Sequence, residues 1–395
     1  MKRTCLCLLM CLLLALPVCA SAEDGRQINR SCCIYFANGT DRAYRLNNGS
    51  MLDPVEMSDS NSYVFHIDPM GQSVDAVCVQ YGEYILPYRV QAQDAQGAWQ
   101  DIAVYDAEYA QGYASFPQRS EPFRILFYED EKKAKLSLRE IYVFAPGEGL
   151  PEQAGAWQPA CEKADMLVIA AHPDDELLWF GGTIPTYAGE LGYAVQVMYM
   201  TCGQPSRRLE LLGGLWECGV RNYPDIGDFY DGHVKSMAAA YKKWGEDETY
   251  LRIVRAIRQY RPEVIVTHDI NGEYGHYQHM VTSDAVYTAV QLAADETYDE
   301  QSLQAYGAWQ VKKLYRHLGK TPTTVMDWST PLSAFDGATG MEIASRAFAL
   351  HVSQAVADWK VAAKGSRSDS TLYTLCYSTV GEDVAGNDFF EHIDR

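Results

Sequence analysis

The second half of the chain alternates continuous apolar runs with helical segments, and this alternation restricts the fold more than any other feature. The apolar runs are MLVIA (166–170), AVQVMYMT (194–201) and VIVTH (264–268). Continuous runs of this kind are typical of strands that are buried on both faces. Helices are expected between them, over residues 174–188, 210–217 and 249–260. Because strands that alternate with helices form βαβ units, we predict an α/β domain with a parallel sheet over residues 163–395.

The first half of the chain reads as short strands between turn signals. The candidate strands are CCIYFA, AYRL, SYVFHI, AVCVQY, YRVQAQ, FRILFY and LREIYVF. Turn sequences such as NNGS, DPMG and DAQG separate them. This pattern predicts an all-β domain over residues 23–147, in the form of an antiparallel sandwich or jelly roll. Residues 148–162 follow neither pattern and contain Gly and Pro, so we interpret them as a linker between two domains.

The N-terminus has the features of a secretory signal peptide over residues 1–22. Lys2 and Arg3 precede a short apolar run, which ends at the small-x-small cleavage site Ala20-Ser21-Ala22. The apolar run is shorter than the roughly 20 residues that a membrane span needs. We therefore expect cleavage near Ala22 and a secreted protein, extracellular or periplasmic, with no stable membrane insertion. An uncleaved N-terminal anchor is the alternative.

The charge of the chain argues against two classes of partner. There are 33 Lys and Arg residues against 52 Asp and Glu residues, which gives a formal net charge of −19. Such an acidic surface repels phosphate backbones and anionic lipids, so we expect no nucleic-acid partner. The cysteines beyond the predicted signal peptide form no C-x-x-C motif, and their disulfide pairing stays open, as does the oligomeric state.

A polar cluster, Ala171-His172-Pro173-Asp174-Asp175-Glu176, directly follows the first apolar run. Pro173 suits the first turn of a helix, and a helix N-terminus favours ionised carboxylates, so Asp174 and Asp175 are expected to stay charged. His172 and Asp175 are three residues apart and can point to one side of the turn. An imidazole and a carboxylate make up half of a catalytic zinc site, which typically has three protein ligands and a water molecule.

A second polar cluster, GEYGHYQH (272–279), follows the third apolar run. Either His276 or His279 could complete a set of two histidines and one aspartate with an open coordination position. Taken singly, the first cluster is an ordinary helix N-terminus and the second a pair of surface histidines. Both clusters follow strands of one parallel sheet, where ligands bind outside the carboxyl ends, and this joint placement favours a metal site.

Three motifs together resemble the PIG-L/LmbE-like de-N-acetylases: AHPDDE after an apolar strand, a T-x-G-x-x-x-R-x-x-E pattern at 201–210, and GEYGH-x-x-H. The resemblance covers residues 163–395. It implies a Rossmann-like domain and zinc-dependent hydrolysis of N-acetyl groups, usually on N-acetylglucosamine-containing substrates. Another divalent metal is compatible with the same ligands.

The resemblance also implies roles for individual residues. His172, Asp175 and His279 match the zinc ligands of the family. Asp174 matches the general base that activates a zinc-bound water molecule. His276 matches the residue that stabilises the oxyanion or protonates the leaving group.

Further candidates surround this set. By the same resemblance, Arg207 and Asp231 match positions that contact the substrate. His268 and Asp269 lie at the end of the third apolar run. They either have an indirect role near the site or are ordinary residues at the end of a strand. For His351, we expect a position on a surface helix rather than near the site.

These expectations describe an exported metal-dependent hydrolase that acts on an N-acetylated sugar or glycan. The N-terminal domain either binds carbohydrate or is structural. Exposed aromatic side chains would serve the first role, and the candidates are Trp99, Tyr105, Tyr109 and Tyr113. Two other functions stay open: a non-catalytic secreted glycan-binding protein, and an amidase that acts on a different N-acyl conjugate.

Overall fold

The computed structural model describes residues 27–28, 32–37, 42–48, 54–106, 109–129, 133–147 and 157–394. The predicted signal peptide (1–22) and most of the predicted linker (148–162) lie outside the described residues. Within the described ranges, no helix has the length and apolar character to cross a membrane.

The N-terminal part consists of two antiparallel sheets. Its strands are β1 (Cys33–Phe36), β2 (Val55–Ser60), β3 (Ser62–Asp68), β4 (Val74–Tyr81), β5 (Tyr88–Gln93), β6 (Trp99–Tyr105), β7 (Gln111–Arg119), β8 (Phe123–Tyr128) and β9 (Ala134–Phe144). One sheet has the order β1-β3-β8-β5-β6 and the other the order β2-β9-β4-β7. Phe65 and Ile125 of the first sheet share one core with Val77 and Leu138 of the second. The two sheets therefore enclose a common hydrophobic interior.

The segment AYRL, predicted as a strand, is instead part of a 3-10 helix over Ala43–Asn47. Ala43 and Leu46 are buried three residues apart, which is the period of such a helix and not of a strand. The Asn47 side chain donates a hydrogen bond to the Cys32 carbonyl oxygen (3.1 Å). Strands β2, β6 and β7 were not predicted, because β2 and β6 carry few buried apolar residues and β7 contains both Gly and Pro.

The C-terminal part is built on a seven-stranded sheet in the order β12-β11-β10-β13-β14-β16-β15. Its strands are β10 (Met166–Ala170), β11 (Val195–Tyr199), β12 (Asp225–Ile226), β13 (Val264–Thr267), β14 (Lys313–His317), β15 (Thr324–Val325) and β16 (Leu372–Ser378). Strands β10 to β14 pair in parallel, as predicted. The sheet as a whole is mixed, because β16 runs antiparallel to β14 and β15.

Helices cover both faces of this sheet. They are α1 (Asp175–Leu178), α2 (Pro205–Glu217), α3 (Met237–Trp244), α4 (Glu246–Tyr260), α5 (Gly272–Gly275), α6 (Tyr277–Ala294), α7 (Glu300–Tyr306) and α8 (Gly340–Ala349). Alternate residues of β10 enter different cores: Met166 and Val168 face the side of α2 and α8, whereas Leu167 and Ile169 face the side of α4 and α6. This explains why the run MLVIA is apolar without a break.

The helix predicted over residues 174–188 is not continuous. Helix α1 ends at Leu178, and a separate π-helical turn covers Pro185–Glu190. Gly181 interrupts the helix with a φ of +49°, a left-handed conformation. A Cβ atom on Gly182 would lie 2.8 Å from the Trp328 ring, so the tight packing of this turn requires glycine.

The two parts of the chain contact each other beside β12. The Tyr109 and Tyr223 rings lie 4.6 Å apart. Trp157 Nε1 donates a hydrogen bond to Gln111 Oε1 (2.7 Å). Ala110 belongs to the same buried cluster as Trp157. The N-terminal sheets therefore pack directly against the α/β part.

Candidate metal centre and active-site cleft

The predicted ligands come from the carboxyl ends of two neighbouring parallel strands. His172 follows β10, and His279 lies in the first turn of α6, which follows β13. Because β10 and β13 pair directly, the segments that leave them meet at one edge of the sheet. The local order of strand, tight turn and helix thus brings two sequence-distant motifs together.

The side chains of the three predicted ligands converge there. His172 Nδ1 lies 3.1 Å from Asp175 Oδ2 and 3.1 Å from His279 Nε2. His279 Nε2 lies 3.2 Å from Asp175 Oδ1. Two ligands of one tetrahedral zinc ion, each about 2.0–2.1 Å from the metal, are about 3.3 Å apart. The spacing of the three side chains therefore fits one shared metal ion.

The hydrogen bonds of the two imidazoles show which nitrogen atoms are available to a metal. His172 Nε2 lies 2.9 Å from Gln278 Oε1, and His279 Nδ1 lies 2.7 Å from Glu273 Oε2. Both partners are oxygen acceptors outside the candidate ligand set, so protons on these two nitrogens leave His172 Nδ1 and His279 Nε2 available to a metal. The lone pairs of His172 Nδ1 and His279 Nε2 therefore face each other beside the Asp175 carboxylate. Such a donor set fits a divalent cation.

Other residues could in principle share a cation here. His172, His276 and His279 form one group of suitable atoms, and Asp175, His268 and His279 form another. His268 Nε2 accepts a hydrogen bond from the Ala171 backbone N–H (2.9 Å), so its lone pair is already in use. His172, Asp175, His276 and His279 are therefore the side chains that offer atoms to a shared cation here.

The two aspartates of the first cluster differ in their charge. Burial acts to raise the pKa of Asp175, but His279, His268 and His172 outweigh it and hold that pKa well below its usual range. For Asp174, burial and the neighbouring Asp175 raise the pKa to about 8, although Arg207 opposes the shift. The expectation that the helix N-terminus keeps both aspartates charged is therefore wrong for Asp174, because burial and the charge of Asp175 raise its pKa. A raised pKa suits a general base that works near neutral pH.

Arg207 connects Asp174 to Asp231. Its Nη2 atom lies 3.1 Å from Asp174 Oδ2 and its Nη1 atom lies 3.1 Å from Asp231 Oδ2. Asp231 Oδ1 in turn lies 3.8 Å from His172 Nε2. Both residues predicted to contact substrate are thus placed at the edge of the candidate metal centre.

His276 caps the N-terminus of α6 and faces the predicted ligands. Its ring centroid lies 4.8 Å from that of His172 and 4.5 Å from that of His279. Burial, together with the neighbouring imidazoles of His279 and His172, lowers the pKa of His276 to about 3. The imidazole is therefore neutral at neutral pH and can donate one N–H.

Glu273 is a central residue of the site that the sequence analysis missed. Its side chain is buried, and it accepts hydrogen bonds from His268 Nδ1 (3.0 Å) and His279 Nδ1 (2.7 Å). His317 Nδ1, at the end of β14, lies 3.4 Å away, and the Asp269 backbone N–H donates to the same carboxylate (2.9 Å). The acidic residue inside GEYGH was the available signal.

Gln278 was also missed, although it lies inside the second motif. Its Oε1 atom accepts from His172 Nε2, and its Nε2 atom donates to the Tyr230 carbonyl oxygen (2.7 Å). The second bond sets the orientation of the amide. Gln278 therefore orients one candidate ligand while Glu273 orients the other.

His351, expected on a surface helix, is buried instead with 1% exposure. It follows α8, and its ring stacks on Phe348 with 5.9 Å between centroids. Burial and the charge of Arg207 lower the pKa of His351 to about 3. The side chain lies against Gly214 of α2, where a Cβ atom would be 3.0 Å from His351 Nε2.

A cavity of about 730 Å³ opens beside the metal centre. Arg207 and Asp231 line its catalytic end, and Arg208, Asp228 and Ser353 line the remainder. Small-molecule pockets commonly have volumes of about 300–1,000 Å³. The site thus combines a candidate metal centre, a carboxylate with a raised pKa and space for a ligand.

Comparison with known proteins identifies the family of the region that contains these residues. Residues 167–290 match the profile of the PIG-L family, which is described as GlcNAc-PI de-N-acetylase. The chain carries a PIG-L family domain. This confirms the family that the motifs indicated, and the matched range includes every predicted ligand.

Two relatives illustrate the similarity. The 1D-myo-inositol 2-acetamido-2-deoxy-alpha-D-glucopyranoside deacetylase 1 of Catenulispora acidiphila is 29% identical over 180 residues, which are 38% of this chain and 54% of the relative. The 1D-myo-inositol 2-acetamido-2-deoxy-alpha-D-glucopyranoside deacetylase of Segniliparus rotundus is 31% identical over 185 residues, 38% of this chain and 56% of the relative. The chain thus spans little more than half the length of these relatives.

Among solved structures, the N,N'-diacetylchitobiose deacetylase from Pyrococcus horikoshii aligns with 48% of this chain and 71% of its own, at 18% identity and a TM-score of 0.37.

Proposed function

We propose that this PIG-L family protein is a zinc-dependent hydrolase that removes N-acetyl groups from N-acetylglucosamine-type sugars or glycans. One observation carries the proposal: each pair among His172, Asp175 and His279 has donor atoms within 3.2 Å, with Asp175 using a different carboxylate oxygen toward each histidine. The names of the relatives support the reaction class, because both act as deacetylases of a 2-acetamido sugar.

In this proposal, His172 Nδ1, Asp175 and His279 Nε2 hold the metal. A bound zinc ion supplies Lewis-acid polarisation of the amide carbonyl group and lowers the pKa of water to about 7. Glu273 and Gln278 keep the two imidazoles in the tautomers that present lone pairs to the ion.

Asp174 is the proposed general base. Asp174 directly precedes the proposed ligand Asp175 in the chain, and it is buried, with 6% exposure. Arg207 Nη2 lies 3.1 Å from Asp174 Oδ2, and this ion pair fixes the orientation of the carboxylate. Once it has accepted a proton from the attacking water molecule, Asp174 can deliver that proton to the leaving amine.

His276 is proposed to donate a hydrogen bond to the oxygen of the reacting amide or to the leaving amine. Its Nδ1 atom is buried and has no hydrogen-bond partner among the described residues. The neutral imidazole lies at the N-terminus of α6, where the helix dipole also favours a developing negative charge. Arg207 and Asp231 face the cavity and are proposed to bind sugar hydroxyl groups.

The test combines metal analysis with acetate release. The purified protein is loaded with zinc, desalted, and incubated with N-acetylglucosamine and with its β-1,4-linked disaccharide. We expect about one zinc ion per chain and stoichiometric release of acetate and free amine. A protein that holds zinc but releases no acetate from either sugar, and hydrolyses another N-acyl conjugate instead, would contradict the proposed substrate class.

We further propose that the protein is exported. Support comes from the basic residues Lys2 and Arg3, the apolar run after them and the site at Ala22. Mass spectrometry of the protein from the native host should find a mature chain that begins at Glu23 in the extracellular or periplasmic fraction. An intact N-terminus in the cytoplasmic fraction would refute export.

A further inference from the structure

The N-terminal sheets reach the catalytic cleft. Glu83 lies between β4 and β5 and lines the same cavity as Arg207 and Asp231. Asp231 marks the catalytic end of this cavity, because it lies 3.8 Å from the candidate ligand His172. The cleft is therefore built from both parts of the chain.

The backbone on both sides of Glu83 is held in place. The Gly82 N–H donates to the Ser137 carbonyl oxygen (2.8 Å), and the Ser137 N–H donates to the Tyr84 carbonyl oxygen (3.4 Å). A Cβ atom on Gly82 would lie 2.2 Å from Ser137 Oγ, so this connection packs closely on β9. The Glu83 side chain itself is exposed. A fixed backbone with an exposed carboxylate is the arrangement of a pre-organised binding group.

The contact between the two parts of the chain lies next to the cleft. The Ala110 N–H donates to the Tyr223 hydroxyl group (3.4 Å), in addition to the ring contact between Tyr109 and Tyr223. Tyr223 precedes β12, and Gly227, which directly follows β12, lines the cavity. The segment from Tyr223 to Gly227 thus contacts the N-terminal sheets and also lines the cleft. This contact fixes the position of Glu83 relative to the catalytic residues.

We propose that Glu83 binds hydroxyl groups of a second sugar ring, so that the N-terminal sheets select saccharides longer than one unit. This inference rests on the proposed function. A carboxylate accepts charge-assisted hydrogen bonds from vicinal hydroxyl groups, and Arg208, Asp228 and Gln354 give the cavity between them a polar lining. The ligand is thus a polyhydroxylated extension of the N-acetylated sugar.

The test compares two substrates in two variants. Glu83→Gln keeps the shape of the side chain and removes its charge. Glu121→Gln is the matched control, because Glu121 is exposed and lies in the connection between β7 and β8. The neighbouring Arg119 pairs with Val74, the first residue of β4, whereas Glu83 follows the last residue of that strand. Both variants are compared with the wild type on N-acetylglucosamine and on its β-1,4-linked disaccharide.

The measured quantity is the preference for the disaccharide, defined as its kcat/KM divided by the kcat/KM of the monosaccharide. For Glu83→Gln, we expect this preference to fall about tenfold, because one charge-assisted hydrogen bond is lost. The loss should appear as a higher KM for the disaccharide. For Glu121→Gln, we expect the wild-type ratio. A ratio that is unchanged in Glu83→Gln, or equal losses on both substrates, would overturn the inference.

Calorimetric titration of the zinc-loaded proteins with the disaccharide separates this inference from the proposed function. If the wild type releases no acetate, the proposed function fails, and the binding constants decide the inference alone. Weaker binding by about tenfold in Glu83→Gln, but not in Glu121→Gln, supports the role of Glu83. Equal affinities, or no binding of the disaccharide by the wild type, refute it.

Discussion

His172 Nδ1 lies 3.1 Å from His279 Nε2, although 107 residues separate them in the chain. Both nitrogens present lone pairs, because the opposite nitrogen of each ring is bound to an oxygen acceptor. Two lone pairs at this distance repel each other unless a metal ion or a proton lies between them. The contact, beside the Asp175 carboxylate, therefore makes this edge of the sheet a candidate metal site.

Replacement of His172 by Ala should abolish metal binding and acetate release. The variant keeps Asp175 and His279, but two ligands do not hold zinc through desalting. Zinc per chain is measured by atomic emission after gel filtration. His233→Ala removes an exposed histidine and should retain the metal. Stoichiometric zinc in His172→Ala would remove this residue from the ligand set.

Replacement of Asp174 by Asn should leave zinc binding intact and lower kcat by about 10²–10⁴. Asp174 has a φ of +110°, and Asn tolerates positive φ about as well as Asp, so the backbone gains little strain. Acetate release and zinc content are measured on the same sample. The exposed Asp336 also has a positive φ, so Asp336→Asn is a matched control with expected wild-type turnover. Undiminished kcat in Asp174→Asn would exclude it as the base.

Replacement of Glu273 by Gln should weaken zinc affinity about 10–100-fold. The carboxylate accepts from His279 and His268, and a neutral amide with one acceptor oxygen cannot serve both. Competition with a fluorescent zinc chelator gives the dissociation constant. Glu296→Gln, at an exposed position after α6, is the control. Equal affinity in both variants would show that Glu273 does not orient the ligand.

Strands that follow from a pattern of neighbouring residues in the sequence could be predicted. Strand β10 has the predicted bounds, because an unbroken apolar run is the direct consequence of burial on both faces. The joint placement of His172 and His279 was predicted from parallel strand order alone. The ligand roles came from the resemblance and stay predictions.

Features that depend on tertiary packing were not predicted. The interruption of the helix after Leu178 depends on Trp328, which packs on Gly182 from a distant part of the chain. Glu273 acquires its role only when β13 and β14 bring His268 and His317 to it. Burial of His351 likewise follows from the packing of α8 on α2, which no local pattern encodes.

Replacement of Glu391 by Gln should destabilise the protein at neutral pH but not in acid. Backbone N–H groups of Ala385, Gly386 and Val384 donate to the Glu391 carboxylate and lower its pKa from 4.5 to about 2. Because the unfolded chain binds the proton more tightly, the carboxylate stabilises the fold above about pH 4.5, and this contribution is lost as the pH falls toward 2. The Tm difference between wild type and variant, measured by calorimetry, should therefore shrink between about pH 5 and about pH 3. Glu382→Gln, at an exposed neighbouring position, is the control variant. A Tm difference for Glu391→Gln that is constant over this range would show that the charge of Glu391 does not stabilise the fold.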